Sequence, residues 1–357
     1  MEHACGDTVV KVDDVVRIVR EAGKVIMDVY STGTEDWDVQ VKAKDNSPLT
    51  KADLAANKVI CDALTALYPA IPIVSEENKM KSFEERRNYT HFFCVDPLDG
   101  TKEFIKRNGQ FTVNVGLCEN GEPVLGVVGV PAAEQPRTFF AAKGQGAFAE
   151  NDADQARETI TCAAFSDEDE GLVIVASASH NTPETEAFIK KHNNPSTMSM
   201  GSSLKLLLVA EGKAHIYPRL APTSEWDTCA AHAIVTAAGG QVLQHEGGQA
   251  CEPGLPVRYN KEDPLNPFFV VYGARTSKAA DDPSTRTAPI DTVHAPSPSC
   301  DTGVEPSPIA YVRTVFRTVL FFFFLQSCRQ TSEWERRGVP TVCCSSASLG
   351  HQTVSTM

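Results

Sequence analysis

The sequence predicts a mixed fold, in which an antiparallel α+β half is followed by an α/β half. In the first half, apolar runs at 111–118 and 124–130 flank Asn120-Gly121, a dipeptide that is typical of β-hairpins. In the second half, strand-like runs alternate with helix-like runs, an order that favours an α/β arrangement. At 357 residues, the chain can bury one large core or two modest ones.

The first half is predicted to hold two helices and six strands. Apolar residues at helical spacing predict an amphipathic helix over Asp13–Tyr30, and a second helix runs from about Thr50 to Leu67, where Pro69 ends it. Residues 1–20 as a whole are acidic and helical in pattern. The predicted strands are 71–74, 92–95, 111–118, 124–130, 137–142 and 147–149.

A polar stretch at Asn151–Glu158 marks the predicted boundary between two domains, 1–155 and 156–273. The second domain is predicted to alternate strands with helices. Its predicted strands are 172–176, 214–217, 241–243 and 268–272, and its predicted helices are 184–192, 202–211 and 227–238.

The last segment, 274–357, is predicted to lie outside the fold as a disordered or aberrant tail. Residues 279–308 are rich in Pro, Ser, Thr and Asp and have no apolar period, which predicts disorder. The apolar run Val319–Leu325 is far too short to span a membrane. Because Phe321–Phe324 resembles a translated pyrimidine tract, a retained intron is one hypothesis for this segment. A chain ending at Gly273 is therefore predicted to stay active.

Composition limits the partners and the compartment. The formal net charge of −13 argues against nonspecific nucleic-acid binding, which needs a basic surface. The cysteines show no CxxC or Cys/His metal spacing, and no signal peptide is visible. We therefore expect a cytoplasmic protein with reduced thiols and with neither a nucleic acid nor a membrane as partner.

The most informative motif follows the predicted strand at 92–95 and reads Asp96-Pro97-Leu98-Asp99-Gly100-Thr101. Two carboxylates this close raise each other's pKa unless a cation lies between them. Mg²⁺ prefers such oxygen ligands and often binds substrate phosphates as well. Gly100 lets a ligand approach the backbone closely, and Thr101 begins a helix-like segment whose N–H groups favour an anion. The motif predicts a metal-dependent phosphate site, although Asp, Pro and Gly also populate ordinary turns.

Further acidic residues stand at the ends of predicted elements. Glu76-Glu77 follows the strand at 71–74, Asp227 lies at the start of a helix, and Asp53 lies in the first turn of another. Each has a structural alternative, since carboxylates at helix N-termini commonly act as caps or interact with the helix dipole. Together these residues favour a shared site.

These motifs, with Trp226-Asp227 and Ala237–Gly240, resemble the inositol monophosphatase superfamily of lithium-sensitive, Mg²⁺-dependent phosphatases. The resemblance covers about residues 10–273 and implies a layered α-β-α-β-α sandwich. Within the superfamily, further segments resemble the 3′(2′),5′-bisphosphate nucleotidases, which act in sulfate assimilation. These segments are Lys102–Arg107, Ser179-His180, Gly201–Lys205 and Ile216–Arg219.

The resemblance also implies a metal site of two or three Mg²⁺ ions. Asp96 is expected to bridge two ions. Glu76 and the Leu98 carbonyl would complete the coordination of one ion, and Asp99 and Asp227 that of the other. A third, weaker Mg²⁺ ion is expected near Glu76.

Catalytic roles carried over from the resemblance fall on Thr101 and Asp53. Thr101, hydrogen-bonded to Asp53, is expected to orient and deprotonate the attacking water. The amides of Gly100 and Thr101 would hold the phosphoryl oxygens. Glu77 is expected to support the metal ligands, and Ser75 lacks the paired His/Asp signature of a nucleophile.

Substrate contacts are expected mainly in the second half. The residues that match nucleotide-binding positions are His180, Ser202, Lys205 and Arg219. Lys205 and Arg219 would pair with the phosphate that is not cleaved, although both also fit as solvated charges. The sequence departs from the family pattern at Ala221, where glycine is usual, and at His215, where an acid is common.

The expected activity is removal of the 3′-phosphate of adenosine 3′,5′-bisphosphate, and of its 5′-phosphosulfate form, by a monomer or homodimer. Two alternatives remain open, and a third, the aspartyl-phosphate phosphatases, is disfavoured by the spacing of the aspartates. An inositol phosphate phosphatase would share the fold, and a regulatory metal-binding protein would share the carboxylates. Aspartyl-phosphate phosphatases use an Asp-x-Asp motif, whereas here two residues separate Asp96 from Asp99.

Overall fold

The structure, a computed structural model, describes residues 1–42, 48–177, 182–247 and 252–276. The expected tail from residue 277 onward and the candidate substrate-binding residue His180 lie outside the described residues. No helix in these four ranges is long and apolar enough to cross a membrane.

The described residues form strands of two to nine residues and α-helices of four to nineteen residues. The strands are β1 (Glu2–Cys5), β2 (Thr8–Lys11), β3 (Gln40–Val41), β4 (Pro48–Leu49), β5 (Ile73–Ser75), β6 (His91–Asp99), β7 (Thr112–Glu119), β8 (Glu122–Val130), β9 (Arg137–Ala142), β10 (Ala147–Asn151), β11 (Arg157–Ile160), β12 (Ala164–Phe165), β13 (Val173–Ser177), β14 (Ser196–Met200), β15 (Ile216–Arg219), β16 (Gln241–Gln244), β17 (Phe269–Tyr272) and β18 (Ala274–Arg275). The helices are α1 (Val12–Tyr30), α2 (Lys51–Leu67), α3 (Phe83–Arg86), α4 (Thr101–Ile105), α5 (Pro183–Ile189), α6 (Leu204–Ala210) and α7 (Glu225–Ala237).

A seven-stranded sheet with the order β11-β10-β9-β8-β7-β6-β5 dominates the first half. All neighbouring strands in it are antiparallel except β5 and β6, which are parallel. The predicted hairpin between β7 and β8 is confirmed. Its turn residues Asn120 and Gly121 have φ angles of 50° and 78°, and two consecutive positive φ angles match the twist of the flanking strands.

Helices cover both faces of this sheet. Side chains of β6 alternate between the faces: Phe93 packs in the core formed with α1 and α2, whereas Phe92 packs in the core formed with α6 and α7. The backbone of α7 lies so close to β8 that a Cβ atom on Gly126 would lie 2.0 Å from the Ala230 carbonyl oxygen. Glycine at this position therefore permits the contact between helix and sheet.

A five-stranded sheet with the order β14-β13-β15-β17-β16 lies on the other side of α6 and α7. In β13, Val175 packs in the core shared with α6 and α7, whereas Ile174 packs with Phe188 of α5. The layers are therefore α1 and α2, the first sheet, α6 and α7, the second sheet, and α5. This order confirms the layered α-β-α-β-α sandwich.

The helical pattern expected for residues 1–20 is wrong for the first eleven of them. They form an antiparallel hairpin of β1 and β2, and α1 begins only at Val12. Gly6 has a φ of +61°, which reverses the chain, and Thr8-Val9-Val10 is β-branched and therefore favours a strand. These local preferences outweigh the acidic pattern.

The fold continues past Gly273, where the sequence analysis ended the second domain. β18 pairs in parallel with β12, and these strands are too short for a sequence pattern to predict. The described residues all fall within one compact unit, and a division of that unit at residue 155 stays a prediction.

We expect a chain that ends at Thr276 to be more stable than one that ends at Gly273. The shorter chain loses the backbone hydrogen bonds from Ala274 N to Ala163 O (2.9 Å) and from Thr276 N to Phe165 O (2.8 Å). At about 1 kcal/mol each, these bonds predict a difference of about 1–3 kcal/mol in the free energy of unfolding. Urea unfolding of the two chains measures it, and equal stabilities would contradict a role for β18.

Candidate active site

The carboxyl ends of the parallel strands β5 and β6 meet at one edge of the first sheet. Glu76 follows β5 directly, and its backbone N–H donates to the Val95 carbonyl at 3.1 Å. The first turn of α7 brings Asp227 to the same place. Glu76, Asp99 and Asp227 are the charged groups that act most strongly on Asp96. The structure thus brings together the four carboxylates that the sequence analysis selected as metal ligands.

A bulge in β6 orients the two aspartates of the central motif. Asp96 pairs with Asn114, and Asp99 pairs with Thr112. The chain therefore advances three residues along β6 but only two along β7, which means that β6 contains one extra residue. Residues three apart on a regular strand point to opposite faces, and the extra residue of the bulge corrects this. The Asp96 carboxylate also accepts a hydrogen bond from the Leu98 N–H at 3.0 Å, which holds the turn that presents the Leu98 carbonyl.

Burial and the neighbouring carboxylates raise the pKa values of the three aspartates in this cluster. Asp96 is 2% exposed, and burial, then Glu76, Asp99 and Asp227, raise its pKa well above the usual range. Burial raises the pKa of Asp99 to about 6, although Lys205 and the Ser203 N–H oppose the shift. Burial, Asp99 and Glu76 raise the pKa of Asp227 to about 8. The cluster therefore holds more negative charge than the surrounding protein compensates.

Lys42 supplies part of the missing positive charge. Its Nζ lies 2.7 Å from Glu76 Oε1 and 2.6 Å from Glu77 Oε1. Burial alone would lower the pKa of Lys42, but the two glutamates outweigh burial and raise it. Burial raises the pKa of Glu77 to about 7 even though Lys42 opposes the shift. Sequence reasoning missed Lys42, because a single lysine in a polar segment carries no motif.

Asp53 and Thr101 form the pair that the sequence analysis expected. Asp53 Oδ2 accepts hydrogen bonds from the Thr50 N–H (2.8 Å) and the Thr50 hydroxyl (2.6 Å), which caps α2. Its other oxygen, Oδ1, lies 3.2 Å from Thr101 Oγ1. Asp53 therefore caps its helix with one oxygen and contacts Thr101 with the other, and burial raises its pKa. The two roles proposed for it are compatible.

The segment from Gly201 to Lys205 packs directly on the Asp99-Gly100 turn. The Ser203 N–H donates to Asp99 Oδ2 at 2.5 Å. Gly100 has a φ of +97°, and a Cβ atom on it would lie 3.2 Å from Ser202 Cβ. The Lys205 ammonium donates to the Ser202 carbonyl, and burial lowers the pKa of Lys205 to about 8 against the influence of Asp99. The two halves of the sandwich therefore meet at this turn.

One cavity of about 370 Å³ connects many of these groups, although Asp53, Asp96 and Leu98 are not part of its lining. Its lining includes Glu76, Asp99, Gly100, Thr101, Ser202, Lys205, Arg219 and Asp227. Arg219 donates to the Pro222 carbonyl at 2.7 Å through Nη2, whereas its buried Nε has no hydrogen-bond partner in the part of the chain that the structure describes. A buried donor without a partner is costly, which favours an anionic ligand beside Arg219.

The donor set fits a hard divalent cation. Among the described residues, the clustered groups offer carboxylate oxygens and the Leu98 carbonyl. Mg²⁺ prefers such oxygen ligands, whereas softer metals prefer sulfur or nitrogen ligands. The raised pKa values of Asp96 and Asp227 indicate that a positive charge among them would be stabilising.

We expect the metal-free protein to lose stability as the pH rises from about 6.5 to 8. Folding raises the pKa of Asp227 to about 8. Over this interval the folded state therefore holds a proton that the unfolded state has released, and the free energy of unfolding falls. At lower pH, buried His232, with a pKa lowered to about 3, acts in the opposite direction. Urea unfolding should show a smaller decline for Asp227→Asn, and equal declines would contradict this account.

Comparison with known proteins identifies the family. A model of the inositol monophosphatase family matches residues 7–273. The 3′(2′),5′-bisphosphate nucleotidase CysQ of Escherichia coli K12 is 44% identical over 260 residues, which are 72% of this chain and 98% of that protein. The namesake protein of Haemophilus influenzae is 34% identical over 264 residues, 73% of this chain and 92% of that protein.

Solved structures agree with this assignment. The crystal structure of CysQ from Bacteroides thetaiotaomicron, a bacterial member of the inositol monophosphatase family, matches with a TM-score of 0.61 and 42% identity. The match covers 74% of this chain and 97% of that one. The inositol monophosphatase of Thermotoga maritima matches with a TM-score of 0.57 and 24% identity, covering 73% of this chain and 91% of that one, and supports the fold. The chain belongs to the inositol monophosphatase family.

Proposed function

We propose that this protein is a 3′(2′),5′-bisphosphate nucleotidase that removes the 3′-phosphate of adenosine 3′,5′-bisphosphate with the help of Mg²⁺. One observation carries the proposal. A single cavity is lined by the carboxylates Asp99 and Asp227 and also by the cations Lys205 and Arg219. With metal ions at the carboxylates, such a lining would offer one place for the phosphate that is cleaved and another for a second phosphate. The similarity to proteins named as bisphosphate nucleotidases supports the same substrate class.

The carboxylate cluster is the proposed metal site. Asp96 would lie between two Mg²⁺ ions, Glu76 and the Leu98 carbonyl would hold one of them, and Asp99 and Asp227 the other. Glu76 would also serve a third ion. When bound, Mg²⁺ would polarise the phosphate and make a nearby water more acidic. Burial, followed by repulsion from Glu76, Asp99 and Asp227, raises the pKa of Asp96, and this repulsion supports the assignment.

Thr101 and Asp53 are the proposed pair that handles the proton of the attacking water. Thr101 Oγ1 lies 3.2 Å from Asp53 Oδ1 and 3.4 Å from the Leu98 carbonyl. When the hydroxyl donates to Asp53, its lone pairs can accept a hydrogen bond from the water, and as the water's proton moves to Thr101 the hydroxyl's own proton would move to Asp53. Burial raises the pKa of Asp53, which makes that carboxylate a better proton acceptor than an exposed aspartate.

The substrate would be held by groups on both sides of the cavity. The N–H groups of Gly100 and Thr101 would donate to the oxygens of the phosphate that is cleaved. Lys205 and Arg219 would pair with the other phosphate, and Ser202 would contact the nucleotide. The unpartnered Nε of Arg219 supports its place in this set. In a chain with a net charge of −13, such a local cationic region is needed to attract a bisphosphate.

A substrate comparison tests the proposed function. We expect Mg²⁺-dependent release of phosphate from adenosine 3′,5′-bisphosphate to be faster than from inositol 1-phosphate, and we expect Li⁺ and excess Ca²⁺ to inhibit it. Arg219→Met should lower kcat/KM for the bisphosphate by about 10- to 100-fold, because a hydrogen bond to a charged group contributes about 1.5–3 kcal/mol. The matched control is Arg258→Met, because Arg258 is exposed and pairs with Glu122.

Two results would contradict the proposal. Faster hydrolysis of inositol 1-phosphate would assign the protein to an inositol phosphate phosphatase. Absence of Mg²⁺-dependent phosphate release from every substrate, in a protein that still binds the metal, would favour the regulatory binding protein.

A further inference from the structure

A second group of metal-binding side chains lies at the other end of β6. His91 is the first residue of this strand and precedes Asp96 by five positions, which is about 16 Å along an extended chain. His3 and Cys5 of β1 lie beside His91. One ring nitrogen of each histidine and the Cys5 Sγ all lie within 4.8 Å of one another. This cluster takes no part in the proposed phosphatase site.

Strand geometry explains why these side chains converge. His3 and Cys5 are two residues apart on β1, so both point to the same face of the hairpin. Hydrogen bonds dock the hairpin on the domain, among them Lys11 N to the Tyr68 hydroxyl at 3.1 Å. The His3–Cys5–His91 cluster is therefore part of the folded core region and does not depend on long flexible side chains.

A carboxylate lies next to both histidines. Glu119 stands directly opposite His91 in the pairing of β6 with β7. Its Oε1 lies 3.1 Å from His91 Nε2, and its Oε2 lies 3.4 Å from His3 Nε2. Although His3 Nε2 is buried, it makes no hydrogen bond of good geometry within the described ranges. His3 Nε2 is therefore a buried polar atom that a further ligand, such as a metal ion, could satisfy.

The surroundings suit an ion better than a closed core would. Cys5 is 8% exposed, and the side chains of His3 and His91 are 15% and 18% exposed. A cavity of about 330 Å³, lined by Cys5 and His91 among others, lies beside them and offers a route for a hydrated ion. The nearby cation Lys143 is 61% exposed and pairs with Glu122, so it does not neutralise Glu119.

We propose that His3, Cys5 and His91 bind one Zn²⁺ ion, with Glu119 as the nearest group for the fourth position. Two imidazoles and a thiolate are ligands that Zn²⁺ accepts in tetrahedral sites and that Mg²⁺ avoids. Bonds of about 2.0–2.3 Å place tetrahedral ligands about 3.5 Å apart. The ligand atoms, within 4.8 Å of one another, therefore need to close by about 1 Å, which side-chain rotation supplies.

The bound ion would have a structural effect. It would join the N-terminal hairpin to the start of β6 and the end of β7. The hairpin is otherwise held by the His3–Glu119 contact, by hydrogen bonds to Gln145 and Tyr68, and by packing of Cys5 and Val10 in the core. A metal that binds only the folded state stabilises it by mass action. Zn²⁺ is therefore expected to raise the melting temperature of the wild-type protein and to leave its Mg²⁺-dependent phosphate release unchanged.

Cobalt substitution tests the proposal on the full chain. Co²⁺ is added to metal-stripped protein in excess Mg²⁺, which occupies the carboxylate site, with a reductant that contains no thiol. We expect one Co²⁺ per chain, a near-ultraviolet thiolate-to-cobalt band, visible bands of tetrahedral Co²⁺, and loss of all three on addition of Zn²⁺. Cys5→Ser should abolish the thiolate band. Cys61→Ser is the matched control, because the Cys61 thiol lies on α2, where it donates a hydrogen bond to Asn57.

A second variant keeps the test decisive if Cys5→Ser fails to fold. His91→Gln leaves the thiol in place and should weaken Co²⁺ binding at least about 10-fold, the loss seen when even supporting partners of a metal site are removed. Absence of a thiolate band in the wild type would overturn the proposal and leave a hydrogen-bonded His–Glu–His cluster. A band that persists in Cys5→Ser would overturn it as well, because another cysteine would then bind the ion.

Discussion

The repulsion between converging carboxylates is the constraint on which the rest of this structure depends. Asp96 is almost completely buried, and Glu76, Asp99 and Asp227 all act to raise its pKa. In the described part of the chain, Lys42 offsets some of this charge at Glu76. Holding such a cluster requires rigid supports, which the parallel strands β5 and β6, the bulge in β6 and the first turn of α7 supply.

Two helix starts support the cluster in the same way. Asp53 and Asp227 are each the third residue of a helix, and each accepts a hydrogen bond from the backbone N–H three positions earlier. One oxygen therefore fixes the carboxylate to its own helix, while the other remains available to the site. Capping and participation in the site are thus not alternatives, because a carboxylate has two oxygens and capping uses one of them.

The sequence predicted those parts of the molecule that local patterns encode. Apolar periodicity located α1 and α2, and Asn120-Gly121 located the central hairpin. Glu76, Asp96 and Asp99 were found because they follow apolar runs directly, and Asp53 and Asp227 because they stand at predicted helix starts. Lys42 and the His3–Cys5–His91 cluster were missed, since their partners lie far away in the sequence and no spacing rule connects them. Pairing of β12 with β18 was missed because both strands have only two residues and show no sequence pattern.

The most direct test of the account is the effect of Asp96→Asn on stability with and without Mg²⁺. Asn replaces a carboxylate whose ionised form is disfavoured by burial and by the neighbouring carboxylates, so the metal-free variant should be at least as stable as the wild type and should lose the stabilisation by Mg²⁺. Phosphate release should fall below about one per cent, or about 3 kcal/mol of barrier. Asp62→Asn, at a 67% exposed position on α2, is the matched control. A metal-free variant that is less stable than the wild type, or one that keeps its Mg²⁺ response, would contradict the account.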